Sequence, residues 1–152
     1  MHNIKQKFHL SENGYQFLLS QEKVHRKPFR DTNGFFTVGI SHNGPEVNPL
    51  HTYTDEEIKM LFETDKKRIE EDVNKIFDPL FMNQNMFDAC FSFAFDIGNI
   101  SQTELGKLIQ KNPYDDRIRE TWAYAYTEGQ KNKKLMARRL KELKLYYTDY
   151  DS

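Results

Sequence analysis

The sequence predicts a mostly helical α+β fold, and three stretches carry that prediction. Asn33-Gly34, set between Phe29-Arg30-Asp31 and Phe35-Phe36-Thr37-Val38, is a β-hairpin signal. Thr54-Asp-Glu-Glu57 is a helix-opening capping box, and the apolar stripe Ile58, Leu61, Phe62, Ile69, Val73 and Ile76 behind it marks a long helix. The run from Met86 to Ile97 is apolar nearly all round, which only a buried central helix tolerates. At 152 residues the chain is long enough for one domain with a real core, divided into two lobes, rather than two independent domains.

Taken in order, residues 1–10 read as a loose polar lead-in. Residues 12–21 place Tyr15, Leu18 and Leu19 at helical spacing behind Ser11 as N-cap, so Glu22 falls at the helix's C-terminal end. Pro28 blocks continuation of that helix. The hairpin that follows has two possible loops. A two-residue turn at Asn33-Gly34 pairs Asp31 with Phe36 and leaves Asp31 and Thr37 on opposite faces. A three-residue loop, Thr32-Asn33-Gly34 with Gly34 left-handed in a bulge, pairs Asp31 with Phe35 and puts Asp31 and Thr37 on one face. If the two residues act together, the longer loop is required.

Asn43-Gly44-Pro45 and Asn48-Pro49 make residues 42–53 a loop with room for a short strand. The helix opened by Thr54 runs to about Phe77, where Asp78-Pro79 ends it. It is polar on most of its circumference, as helices that bridge two lobes often are. Gly98 caps the central helix. Shorter helices are expected at Thr103–Gln110, at Asp115–Tyr126 with Trp122, and at Asn132–Tyr147, with Gly129 punctuating the last pair.

The formal net charge is −1, unevenly spread. Lys5, Lys7, Lys23, Arg26, Lys27 and Arg30 make the start basic, Asp55 to Asp72 is acidic, and Lys131 to Lys144 is basic again. Solvated helix faces account for this pattern; attraction to an anionic polymer is the sharper alternative. The single cysteine, Cys90, excludes an intramolecular disulfide and reads as a small buried thiol in the apolar helix. His2, His9, His25 and His51 have no metal-ligand spacing, and Glu70-Glu71-Asp72 cannot converge on one ion, so neither metal nor cofactor is expected. Residues 1–10 lack the apolar run of a signal peptide, and no stretch is long enough to span a bilayer. The expectation is synthesis in a cytoplasm, with help from another protein for any action outside it.

The chemistry concentrates between Glu22 and His42, where two carboxylates, a hydroxyl and an imidazole lie around the turn signal. The carbonyl end of a helix is its negative pole, which favours the protonated form of a carboxyl and suits a general acid at Glu22. The segment Glu22-x8-Asp31-x5-Thr37, with Gly34-x-x-Thr37-x-Gly39-x-x-His42 inside it, resembles the catalytic segment of phage-type lysozymes, the endolysin family of glycoside hydrolases. The resemblance continues through Thr54-Asp-Glu-Glu57, Leu61-Phe62-x-x-Asp65, Asn83-Gln84-Asn85-x-Phe87-Asp88-Ala89, Phe95-Asp96-Ile97-Gly98, Trp122 and Arg138-Arg139-x-x-Glu142. It covers roughly residues 12–147.

That resemblance implies a lysozyme-like two-lobed fold: a small hairpin lobe at about 12–53, a connecting helix at about 55–77 and a larger helical lobe at about 83–147 around the buried central helix. It implies a monomeric muramidase that cuts the β-1,4 bond between N-acetylmuramic acid and N-acetylglucosamine in peptidoglycan glycan strands, reaching the wall through a holin-like lesion or secretion. Glu22 would protonate the leaving oxygen, and Asp31 with Thr37 would hold the attacking water, with inversion at the anomeric carbon. His42 takes a structural place against Asp65, with its pKa raised, and Gly34 and Gly39 take turn positions near the site. Ser41, Phe95 and Asp96 would contact substrate. Lys23, Ser41 and Asp96 depart from the family pattern, which has glycine, glycine and an amide there. Other function classes are a peptidoglycan-binding module with a damaged active site, which intact Glu22, Asp31 and Thr37 oppose, and a nucleic-acid binder using the basic last helix. The latter lacks a motif and a favourable net charge.

Overall fold

The computed structural model describes residues 7–124 and 132–149. Among these, the chain forms α1 (Glu12–Gln21), β1 (Val24–Arg30), β2 (Phe36–Ile40), β3 (His42–Asn43), α2 (Asp55–Asn74), α3 (Gln84–Ile97), α4 (Glu104–Lys111), α5 (Arg117–Tyr124) and α6 (Lys133–Tyr146), with a 3-10 turn at Ile100–Gln102. The sheet is antiparallel in the order β1-β2-β3. The chain divides into two compact units, Gln16–Arg68 and the remainder, and α2 runs through the boundary between Arg68 and Ile69.

Within the smaller unit, Leu18, Val38, Ile40, Val47, Tyr53, Ile58 and Phe62 are buried. β2 is the central strand and alone is buried along most of its length. β1 starts before the predicted hairpin and takes in Pro28 at an irregularity between His25 and Phe29. An edge strand tolerates this because proline's missing N–H faces no partner strand. Pro28 therefore does not end α1, which has already stopped at Gln21. The capping box closes as predicted: Glu57 N–H donates to Thr54 Oγ1 at 3.2 Å and Thr54 N–H to Glu57 Oε1 at 2.9 Å.

In the larger unit, α3 carries Phe87, Phe91 and Phe93 without exposure, and Trp122 of α5 and Tyr146 of α6 complete the aromatic core. Phe93 meets Trp122 edge-on at 5.7 Å between ring centroids, and Trp122 meets Tyr146 at 5.2 Å. Burying each such ring contributes ~1.5–3 kcal/mol. Asn83 caps α3 through Met86 N–H, and Gly98 N–H closes its far end on Ala94 O. Cys90 is buried there, and burial pushes its thiol pKa up.

Four expectations need correction. Residues 7–10 are not a loose lead-in: Phe8 N–H donates to Asn74 Oδ1 at 3.0 Å, its ring lies 4.5 Å from that of Phe77, and Leu10 N–H donates to buried Glu70 at 2.7 Å. Phe8 and Leu10 are apolar enough to be held, and the acidic run supplies the acceptor. Glu70 and Asp72 are accordingly not a solvated face, since Asp72 accepts both the N–H and the hydroxyl of Ser101. Finally, α2 stops at Asn74, short of Phe77. Its last turn tightens to i+3 bonds from Lys75 and Ile76, and Asn74 turns its amide onto Phe8 O and Glu70 O. α5 likewise begins at Arg117, because Asp115 caps it by accepting Arg117 N–H at 2.9 Å. The predicted end of that helix at Tyr126, Gly129 and Lys131 lie outside the described residues.

Candidate active site

Ser11 N-caps α1, its Oγ accepting Gly14 N–H at 3.0 Å while its own N–H donates to Asp88 of α3 at 3.1 Å. Burial raises the Asp88 pKa against the opposing hydrogen bonds of Ser11 and Gln84. At the other end of α1, Glu22 N–H donates to Leu18 O at 3.1 Å, so Glu22 sits on the last helical turn and is half-buried. Its Oε2 accepts the Ser41 hydroxyl at 2.9 Å. Lys23, next along, is exposed.

The hairpin has the three-residue loop. Asp31 N–H donates to Phe35 O at 2.8 Å and Gly34 N–H to Asp31 O at 3.0 Å, with Gly34 at φ 85°. This is a type I turn followed by a left-handed bulge residue. Phe29 pairs with Thr37, and Arg30 with Phe36, so Asp31 lies opposite Phe35 and shares a face with Thr37. Asp31 Oδ1 accepts the N–H of Asn33 at 2.9 Å and of Phe35 at 3.0 Å. Its loop thus fixes the carboxylate plane and turns Oδ2 to the Thr37 hydroxyl, 3.4 Å away. That long contact is one that a water held by both groups can shorten into two good bonds. The two amide anchors were not anticipated, although an Asp two residues before Asn-Gly is the residue type that makes them.

β2 ends in a tight corner. Gly39 has φ 66°, and a Cβ there would meet Ile58 Cγ2 at 3.2 Å, so the position suits glycine on both counts. Beyond it, His42 is buried between two carboxylates: Nδ1 lies 2.7 Å from Asp65 Oδ2 of α2, and Nε2 lies 2.5 Å from Glu46 Oε1. Only the imidazolium can donate from both nitrogens. Burial opposes that charge, but the hydrogen bonds and charges of Glu46 and Asp65 outweigh it and raise the His42 pKa. Glu46, whose own pKa is lowered chiefly by His42, was missed in the sequence; its place four residues on, after the Gly44-Pro45 bend, was the available signal. His42 thus links β3 to α2.

In the larger unit, Phe95 is half-buried near the end of α3, and exposed Asp96 accepts from Arg139 Nη2 at 2.8 Å. Asp96 is therefore an ion-paired carboxylate and not a bare one. Arg139 is fully buried, lies 5.0 Å over the Phe93 ring and stands 2.9 Å from Glu142 through Nε. That approach is an ion pair out of line for a hydrogen bond, and Nε and Nη1 have no hydrogen-bond partner among the described residues. Among the described residues, no three His, Cys, Asp or Glu side chains converge in a way that could hold a metal ion.

The sequence model of the phage lysozyme family matches residues 20–142, which span the acid candidate, the whole hairpin and the Arg138-Arg139-x-x-Glu142 motif. The chain belongs to the phage lysozyme family. It is 31% identical over 124 residues to the SAR-endolysin of bacteriophage PS34, covering 78% of this chain and 71% of that one. It is 24% identical to the endolysin of Bacillus phage B103 over 91% of its own length but only 54% of that protein's. The crystal structure of the active form of the P1 phage endolysin superposes with a TM-score of 0.77 at 25% identity, covering 91% of this chain and 85% of that one. The phage lysozyme fold thus accounts for the mostly helical architecture with its small antiparallel sheet, and lysozyme-type hydrolysis of bacterial peptidoglycan is the activity that goes with the family. Among the described residues no helix is long and apolar enough to cross a membrane.

Proposed function

We propose that this phage lysozyme is an endo-β-1,4-N-acetylmuramidase that works by a single inverting displacement. Glu22 gives its proton to the glycosidic oxygen as the C1–O bond breaks. A water held by Asp31 and Thr37 attacks C1 from the opposite side and passes its proton to Asp31. Exchange with solvent then resets both carboxyls. Such an oxocarbenium-like transition state needs one protonated and one ionised carboxyl.

The observation that carries the reading is the Asp31 carboxylate. One oxygen is pinned by two backbone N–H groups, while the other is directed at Thr37 on the same face of the hairpin. Such anchoring supports a role for Asp31 in orienting water and accepting its proton. Ser41, Phe95 and Asp96 are proposed substrate contacts, with the Arg139 pair tempering the repulsion that Asp96 would exert on an anionic glycan. The enzyme is proposed to act as a monomer on the wall, admitted by a holin-like lesion or a secretion system.

Reducing-sugar release from purified peptidoglycan by the wild type and Glu22→Gln tests the assignment. Loss of the proton donor is expected to lower the rate ~10²-fold or more in a folded protein. A variant as active as the wild type removes Glu22 from its role, and a wild type that binds the polymer without cutting it makes the chain a binding module.

A further inference from the structure

Ser41 lies in the corner between β2 and β3 with φ 53°. This left-handed conformation is free for glycine and strained for any residue with a Cβ. Strain of this kind persists where the surroundings hold the residue in place. The one polar group on the Ser41 side chain donates to Glu22 Oε2 at 2.9 Å.

The ladder explains why the two meet. Val24 pairs with Ile40, so the chain leaving Glu22 and the chain entering Ser41 diverge from the same end of the β1–β2 ribbon. It is from this left-handed backbone that the Ser41 hydroxyl reaches Glu22 Oε2. The left-handed turn and the hydrogen bond are thus one device.

We propose that Ser41 is a positioning residue for the general acid, its hydroxyl holding Oε2 so that the half-buried Glu22 carboxyl keeps one orientation as the glycosidic oxygen arrives. The inference rests on the reading of Glu22 as the acid. A glutamate side chain has three rotatable bonds, and fixing its last one in advance removes reorganisation from the reacting step. This role adds to any contact Ser41 makes with the sugar, and it acts on turnover more than on binding.

The test is kcat and KM on peptidoglycan together with the melting temperature for wild type, Ser41→Gly, Ser41→Ala and Ser41→Asn. Ser41→Gly relieves the backbone and removes the hydroxyl, so its melting temperature should rise by about 2–4 °C while kcat falls ~10-fold and KM stays within about twofold. Ser41→Ala should lose the same activity without the gain in melting temperature. Ser41→Asn tolerates the left-handed backbone and brings an N–H donor, and should recover part of kcat. A cleaving wild type matched in kcat by Ser41→Gly, or a loss confined to KM, overturns this assignment alone. A wild type that releases no reducing ends overturns the muramidase reading and this inference with it.

Discussion

Asp31 and Glu142 are both carboxylates surrounded by donors, and the chain holds them in opposite ways. Asp31 is half-buried and takes its partners from residues 33, 35 and 37 of its own hairpin. Glu142 is fully buried and takes partners from other helices, the Ser92 hydroxyl at 2.5 Å and Trp122 Nε1 at 3.1 Å, as well as Arg138 Nε and Arg139 Nη2 of its own helix at 3.3 Å each. Burial pushes its pKa up, against the opposing pull of Arg139, Ser92, Arg138 and Trp122. A carboxylate held by its own loop can face solvent and do chemistry, whereas one held by packed side chains keeps those side chains in place. Substitutions should therefore separate the two regions, one losing turnover and the other losing the fold.

The largest effect is expected at Glu142. Glu142→Ala removes the buried carboxylate that the Arg138 and Arg139 guanidinium groups both face, which should cost about 3–5 kcal/mol of stability and appear as a large drop in urea midpoint. A drop under about 1 kcal/mol would show that the cluster is not structural. Next comes Asp31→Asn. The amide oxygen still accepts the Asn33 and Phe35 N–H groups, so the melting temperature should hold while peptidoglycan cleavage falls ~10²-fold. Equal losses in both would erase the distinction between the two regions.

A smaller effect is expected at Gly34, where φ is 85° and a Cβ would meet nothing within 4 Å. Gly34→Val therefore isolates the backbone term, about 1–2 kcal/mol, and Gly34→Asn should cost less. An unchanged thermal midpoint for the valine variant contradicts the bulged loop. The smallest effect is a pH dependence at His42. Its folded pKa is raised, so its clamp contributes fully below the unfolded value of 6.5 and is lost as pH rises through the folded one. The melting-temperature gap between wild type and His42→Gln should be wider at pH 6 than at pH 9. A gap that widens with pH reverses the sign and removes the clamp.

What could be read in the sequence follows the same division. The turn signal at Asn33-Gly34, the Thr54–Glu57 capping box and the apolar run ending at Gly98 are each written in one short stretch, because turns, caps and amphipathicity are local physics, while the choice between the two loops was left to the backbone. The pairing of His42 with Asp65 was within reach of the motif, whereas Glu46 had only the Gly44-Pro45 bend four residues on to point to it. Phe8 on Asn74, Ser11 on Asp88 and Ser92 on Glu142 span 66, 77 and 50 residues, and no periodicity encodes such partners. The stop of α2 at Asn74 belongs to the same class, for the Asn74 amide turns to the backbone of Phe8. At the site, the sequence offered the catalytic candidates by type and spacing; the two amides that aim Asp31 and the hydroxyl that holds Glu22 came only with the backbone.

The most direct test of the account is the anomeric form of the first product, followed by proton NMR during cleavage of a soluble glycan strand. Water delivered by Asp31 and Thr37 in one displacement inverts the β linkage, so the α anomer should appear first and decay to the equilibrium mixture. Initial appearance of the β anomer would mean that a carboxylate attacks the sugar itself, and the water-holding role of Asp31 and Thr37 would be wrong.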